Sequence, residues 1–374
     1  MTSMTFTAIA EPQPGAKWLA RWQRSWPEYE AWFIARGGDN GPDRNACRAA
    51  LSRYMPELVT TYDRLVTLTG NSDRAARFLS TWCPPAYLGG CSLAALADAE
   101  EVRLVRNYDL SPDLNEGFLL RSAWTGRPVM GMVEFLWGLS DGINDAGLAV
   151  ALAYGGRSET GQGFGVTTIL RYVLETCDTV DEAVAALMRV PSHMAYNIVL
   201  TDRAGKTASV ELSPGGGAKR MTQAIATNHQ STAARPDQAS FTRTYERHAH
   251  LQGLSGKPSQ LHKQFLQQPL RQEQFAAGFG TLFTAEYDPK RASLRLIWPQ
   301  EDWQQSLADF EEGERLIALS GSVSPQTGTN AATMPDWALA ARIDWQAVGR
   351  DYAAGRGKDI ASYLDNVSVH AACH

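Results

Sequence analysis

Residues 83–94 read "CPPAYLGGCSLA", and the texture of the chain changes across them. Pro84 and Pro85 fix φ, remove two backbone donors and push their neighbours toward extended backbone, so no helix runs through. Gly89 and Gly90 then leave the chain free to bend just ahead of Cys91. Upstream the pattern is helical; from Cys91 on it turns to strands. An internal residue placed there becomes a chain terminus if the Gly90–Cys91 bond is cut. Alone, Cys91 reads as a buried small hydrophobe, since free cysteine is among the most buried residue types.

Residues 16 to about 80 hold the helical pattern. In "AKWLARWQRSWPEYEAWFIARGG", Trp18, Leu19, Trp22, Trp26 and Tyr29 recur at spacings of three and four, an amphipathic face expected to join the core. "NSDRAARFLSTW" continues it, with Asn71 or Ser72 as N-cap. Downstream, "EVRLVRNYD" (101–109) sets Val102, Leu104 and Asn107 against Arg103 and Val105, which predicts a half-buried strand with one polar side. "GLAVALAYGG" reads as an apolar strand, residues 163–177 as a helix, and "TVDEAVAALMRV" as another, with Thr179 and Glu182 at capping-box spacing. Hairpins are predicted over 194–212, turning at Asp202–Gly205, and over 279–298, turning at Asp288–Pro289. "QAIATNH" is a further strand, and about 240–277 a polar helical segment. From about 305 strand signals cease: "SGSVSPQTGTNAATMP" is linker-like and "DWALAARIDWQAVGRDYAAG" offers one or two short helices. The blocks predict an α+β fold of sheets covered by helices in layers. Its parts are an N-terminal helical segment (1–90), a catalytic domain (91–304) and a C-terminal extension (305–374).

Composition narrows the function classes. The 374 residues carry 35 Lys and Arg against 40 Asp and Glu, a net charge of −5, which offers no basic surplus to nucleic acid or an anionic membrane. With 44% hydrophobic and 20% charged residues the chain is expected to be soluble and globular. No apolar run approaches the roughly 18 residues of a membrane span, and "MTSMTFTAIAEPQPGAKWLA" lacks the basic and apolar regions of a signal peptide, so cytoplasmic residence is expected. The cysteines (47, 83, 91, 177, 373) are scattered, odd in number and without a CxxC, and the histidines show no HExxH. Neither a disulfide framework nor a metal or cofactor site is expected. "GQGFGV" (161–166) matches neither common nucleotide-loop pattern and reads as a loop entering a helix.

Cys91 has company. Arg106 and Asp109 follow in "RNYD", at the end of the first strand after it. A guanidinium near a thiol favours the thiolate, the nucleophilic form. Taken alone, Arg106 reads as half of a salt bridge with Asp109.

"GGCS", then "RNYD", "GINDAGL" and "TNH", in that order over roughly residues 84–300, resemble the choloylglycine hydrolase and acyl-coenzyme A:isopenicillin N acyltransferase group of N-terminal-nucleophile hydrolases. The resemblance implies a four-layer αββα sandwich and a precursor that cuts itself into two chains that stay associated. It implies Cys91 as nucleophile, Arg106 and Asp109 beside it, and Asn144 and Asn228 as oxyanion-side asparagines. Arg243 matches an arginine near the nucleophile, with Arg247 as a rival in the same segment. His229 takes a structural reading. "GGCS" departs from the acid-Gly-Cys-Thr form of some acyltransferases at Gly89, which bears on self-cleavage.

The chemistry is coherent. A thiol with reference pKa near 8.5 is only a few per cent thiolate at neutral pH. Cleavage before Cys91 would supply an α-amine of pKa about 7.7–8.0 as its general base. The expected activity is hydrolysis of a linear, non-peptide amide in a small N-acyl substrate. Acyl transfer to an amine acceptor and a non-catalytic binding role on the same fold stay open, as does the oligomeric state.

Overall fold

A computed structural model describes residues 2–86, 90–231 and 239–320. The chain opens with strand β1 (Thr2–Ala10), then helices α1 (Ala16–Ala35), α2 (Arg44–Tyr54), α3 (Val59–Leu68) and α4 (Asp73–Ser80). Six strands follow: β2 (Gly90–Ala97), β3 (Val102–Leu110), β4 (Phe118–Ser122), β5 (Val129–Glu134), β6 (Gly138–Asn144) and β7 (Ala149–Tyr154). After α5 (Val166–Thr176) and α6 (Val180–Arg189) come β8 (Tyr196–Thr201), β9 (Thr207–Leu212), β10 (Ala218–Met221) and β11 (Ile225–Ala226). Short helices α7 (Ala239–Thr242), α8 (Thr244–Gln252) and α9 (Leu261–Phe265) lead to β12 (Glu273–Gln274), β13 (Phe279–Asp288), β14 (Ser293–Ile297), β15 (Asp302–Ser306) and β16 (Gly313–Ser320).

Two sheets stack face to face. One runs β10-β9-β8-β7-β6-β5-β4-β1-β16; the other runs β11-β2-β3-β13-β14-β15, with β12 on β13. β2 and β3 pack on β7 and β8 across the interface, α5 and α6 cover the larger sheet, and α8 and α9 cover the smaller. This is the expected α+β sandwich, helix–sheet–sheet–helix.

The N-terminal helices form where their aromatic stripe finds a core. Trp18, Trp22, Tyr29 and Trp32 of α1 are buried; Trp22 stacks on Trp26 at 4.3 Å and on Trp18 at 5.5 Å. Burying rings of this size contributes roughly 2 kcal/mol or more each. Ser72 caps α4 through Ala75 N, and the capping box of Thr179 and Glu182 starts α6. "GQGFGV" is a loop entering α5.

Three expectations are corrected. β1 lies inside the larger sheet, parallel to β4 and antiparallel to β16, at the start of the segment 1–90 read as helical. Strands do not cease at about 305, because β16 closes that sheet against β1; the short helices expected after 320 lie outside the described residues. "EVRLVRNYD" is buried on both faces, with Glu101 and Arg103 partly exposed, because the second sheet covers one side and α8–α9 the other.

Candidate active site

β2 and β3 build the site. Their antiparallel register sets Gly90 opposite Asp109 and Cys91 opposite Tyr108. Gly90 has no room for a side chain: a Cβ would stand 2.2 Å from Phe279 Cε2 and 2.9 Å from Asp109 O. The strand can therefore start here only on glycine. Along β2, Cys91 and Leu93 belong to the core between the sheets, whereas Ala94 belongs to the cluster under α8 and α9.

The same alternation separates two groups expected to pair. Arg106 and Asp109 are three apart on a strand, an odd spacing that sends side chains to opposite faces. Arg106 points between the sheets. Its Nη2 donates to Cys91 Sγ at 3.1 Å, and its Nη1 donates to Ser140 Oγ at 2.9 Å and pairs with Asp141 Oδ2 at 3.2 Å. The guanidinium also lies 4.3 Å from the Tyr108 ring centre. Asp109 points toward α8, where Oδ1 accepts from Thr281 Oγ1 at 2.7 Å and Oδ2 lies 3.8 Å from Arg247 Nη1. Among the described residues Oδ2 accepts no hydrogen bond. The expected Arg106–Asp109 salt bridge is thus two separate ion pairs, one on each face of β3.

Arg247, not Arg243, reaches the strand of Cys91. Arg247 is fully buried; Nη1 donates to Cys91 O at 2.6 Å and Ser92 Oγ at 2.9 Å, and Nη2 to Asn228 Oδ1 at 2.7 Å. Arg243 begins α8 and spends its guanidinium on Glu246 and Gln268. One helical turn separates the two arginines, and only the later one faces β2. Asn228 joins the site as expected: its Oδ1 accepts from Cys91 N at 3.1 Å and its Nδ2 donates to Tyr154 O. Here that nitrogen is the Gly90–Cys91 amide; cleavage would make it the α-amine.

Asn144 is placed elsewhere. Its Nδ2 donates to Leu174 O and Cys177 O and its Oδ1 accepts from Leu148 N, so it ties the end of α5 to β6. His229 is held by Thr227 Oγ1 and Thr244 Oγ1 through Nδ1, in keeping with its structural reading. Sequence reasoning missed Ser140 and Asp141, whose signal was a polar pair in the otherwise apolar strand "GLSDGIN". It also missed Glu134, which takes the Tyr108 hydroxyl proton in a hydrogen bond.

Burial dominates the electrostatics. It pushes the Cys91 thiol up to about 11, and the Arg106 charge pulls it back only in part. The sulfur thus keeps its proton at neutral pH, and the positive charge of Arg106 is balanced by Asp141. Burial likewise raises Asp109 to about 6 against the pull of Arg247 and Thr281, and Glu134 to about 7 against the Tyr108 bond. Such shifts gather at functional sites, though structural ion pairs produce them too. Among the described residues no three His, Cys, Asp or Glu side chains are arranged to hold a metal ion, and no helix is long and apolar enough to cross a membrane.

The family model for acyl-coenzyme A:6-aminopenicillanic acid acyl-transferase matches residues 97–303, more than half of the chain. The chain belongs to that family. Acyl-transferase chemistry is what that family is named for. No curated protein matches the sequence. Among solved structures the chain is similar to penicillin V acylase from Agrobacterium tumefaciens, at 16% identity over 58% of this chain and 86% of that one, TM-score 0.41. It is also similar to a mutant conjugated bile acid hydrolase from Clostridium perfringens (13%, 63% and 99%, TM-score 0.42). A third is the N-acylethanolamine-hydrolyzing acid amidase ortholog of Caenorhabditis elegans (16%, 61% and 100%, TM-score 0.41).

Proposed function

We propose that this protein is a cysteine N-terminal-nucleophile amidohydrolase that processes itself at Gly90–Cys91 and cleaves a linear amide of a small N-acyl compound. The observation that carries this reading is the Arg106 guanidinium 3.1 Å from Cys91 Sγ on a strand whose first residue is Gly90. In processing, the sulfur attacks the Gly90 carbonyl carbon, the C–N bond breaks, and the thiol proton ends on the Cys91 nitrogen. Water then hydrolyses the thioester, giving Gly90 a carboxylate and returning a proton to sulfur. The freed amine would keep Asn228 Oδ1 as its acceptor, which would hold it beside its own thiol.

That amine is the base the uncut protein lacks. With a pKa of about 7.7–8.0 it is partly neutral at pH 7 and takes the thiol proton as sulfur attacks the substrate amide. The leaving amine collects the proton, and water resolves the thioester. Arg106 favours the developing thiolate, and the family resemblance assigns Asn228 to the oxyanion, an effect worth about 2.7–4 kcal/mol in comparable sites. A second reading, transfer of the acyl group to an amine in place of water, is favoured by the family's own reaction. β1, deep in the larger sheet, supports a cut chain that stays bound to its partner.

The test is turnover of N-acyl amides by wild type beside Cys91→Ala, with and without an amine acceptor. Thiol-dependent release of free acid supports hydrolysis, and acyl-amine product supports transfer. Equal activity in Cys91→Ala removes both.

A further inference from the structure

Around Ala226 and His229 the structure holds a cavity of about 260 Å³. That is several times the roughly 30 Å³ a water occupies. Asn197 and Glu211 from β8 and β9 line it together with Met221, Ile225, His229 and His248. Ser209, Thr222, Gln223, Ser231 and Gln252 also line it, yet among the described residues none of their donors reaches Asn197 Oδ1. Asn197 is 2% exposed; its Nδ2 donates to Thr227 O and His229 O, but among the described residues its Oδ1 has no hydrogen-bond partner. Glu211 accepts from Ser231 N and Ser231 Oγ, which leaves lone pairs on both carboxylate oxygens. Lys219 Nζ donates to Ser231 Oγ, one step removed from the carboxylate. Burial holds both imidazoles neutral at pH 7, His229 down to about 4 with help from His248 and Arg247, and His248 below its ordinary value despite Glu211.

A buried amide oxygen without a donor is costly, about 1–3 kcal/mol, and calls for one. The geometry points to a binding site for a small primary ammonium ligand, its three N–H groups directed at Asn197 Oδ1, Glu211 and a neutral imidazole, and its short carbon skeleton against Met221 and Ile225. An anion would meet Glu211 head-on, and a neutral alcohol offers one donor where three acceptors wait. Its lining includes none of Cys91, Arg106, Asn228 or Arg247, so it can be tested on protein that cannot react.

The experiment titrates Cys91→Ala protein at pH 7.5 with n-propylammonium chloride, and in parallel with n-propanol, by calorimetry. Saturable one-to-one binding of the ammonium and none of the alcohol is expected, with affinity at least tenfold weaker in Glu211→Gln and in Asn197→Leu. Glu211→Gln is close in shape and guards against a misfolded Asn197 variant; circular dichroism confirms that both are folded. No saturable binding, equal binding of the alcohol, or undiminished affinity in folded Glu211→Gln would overturn the site and leave only ordered water there.

Discussion

Cys91 and Cys177 are both buried cysteines of the same core, and both thiols are raised by burial. What surrounds them differs. At the end of α5 the cation near Cys177, Arg127, donates to the backbone carbonyl and pairs with Asp178, while among the described residues the sulfur's polar partner is Thr176 Oγ1 at 3.7 Å. At the head of β2 a fully buried guanidinium is aimed at the sulfur itself, and Asp141 and Ser140 fix it there. Burial alone makes a thiol inert. On the proposed function, a charge directed at sulfur, beside a peptide bond whose cleavage would supply a base, separates a nucleophile from a packing residue.

Exchanging the two cysteines is the strongest way to break this contrast. Cys91→Ala is expected to abolish processing and to lower turnover by ~10⁴-fold or more. Cys177→Ala should keep both, with a stability loss of about 1–3 kcal/mol read by urea unfolding. The reverse pattern would mean the wrong cysteine has been identified.

Next in size is Arg106→Met, which strands Asp141 without its charge and should cost about 3–5 kcal/mol. Pairing it with Asp141→Leu should recover most of that stability without recovering reactivity. The pH profile of Cys91 alkylation by iodoacetamide should move upward in the paired variant; an unmoved profile would show that Arg106 does not act on the sulfur. Arg127→Ala should shift the Cys177 profile far less.

A third, smaller effect sharpens the contrast through pH. Glu134 sits near 7 in the folded protein against an ordinary 4.5, so the fold binds its proton more tightly than the unfolded chain does. Its contribution to stability is full below about 4.5 and is lost as pH rises through 7. Glu134→Gln should therefore gain on wild type in urea unfolding between pH 4.5 and 7.5. A difference that is flat with pH would place the Glu134 carboxyl at its ordinary value. Smallest of all is Arg243→Ala, an exposed ion pair worth at most about 1 kcal/mol. It should leave processing intact, whereas Arg247→Ala should slow it markedly by mass spectrometry over time.

The parts of the site legible in the sequence were those carried by local pattern. The break at Pro84–Pro85 placed Cys91 at a strand head, the capping box placed α6, and the turns at Asp202 and Asp288 placed two hairpins. Relations made across the fold were not legible. β1 and β16 join residues some three hundred positions apart, and no local periodicity advertises such a partner. Proximity in sequence suggested Arg106 with Asp109, yet the two-residue period of a strand divides them. Arg243 and Arg247 differ by one helical turn, and which of them faces β2 is fixed by how α8 docks. Asn144 stands in a motif that the resemblance reads as functional, while its carboxamide secures α5.

The most direct test is the intact mass of active wild-type protein, with Cys91→Ala beside it. Two chains divided between Gly90 and Cys91 in wild type, co-eluting until denatured, and one undivided chain in the variant are the predicted result. A catalytically active wild-type protein that remains a single 374-residue chain would contradict the account.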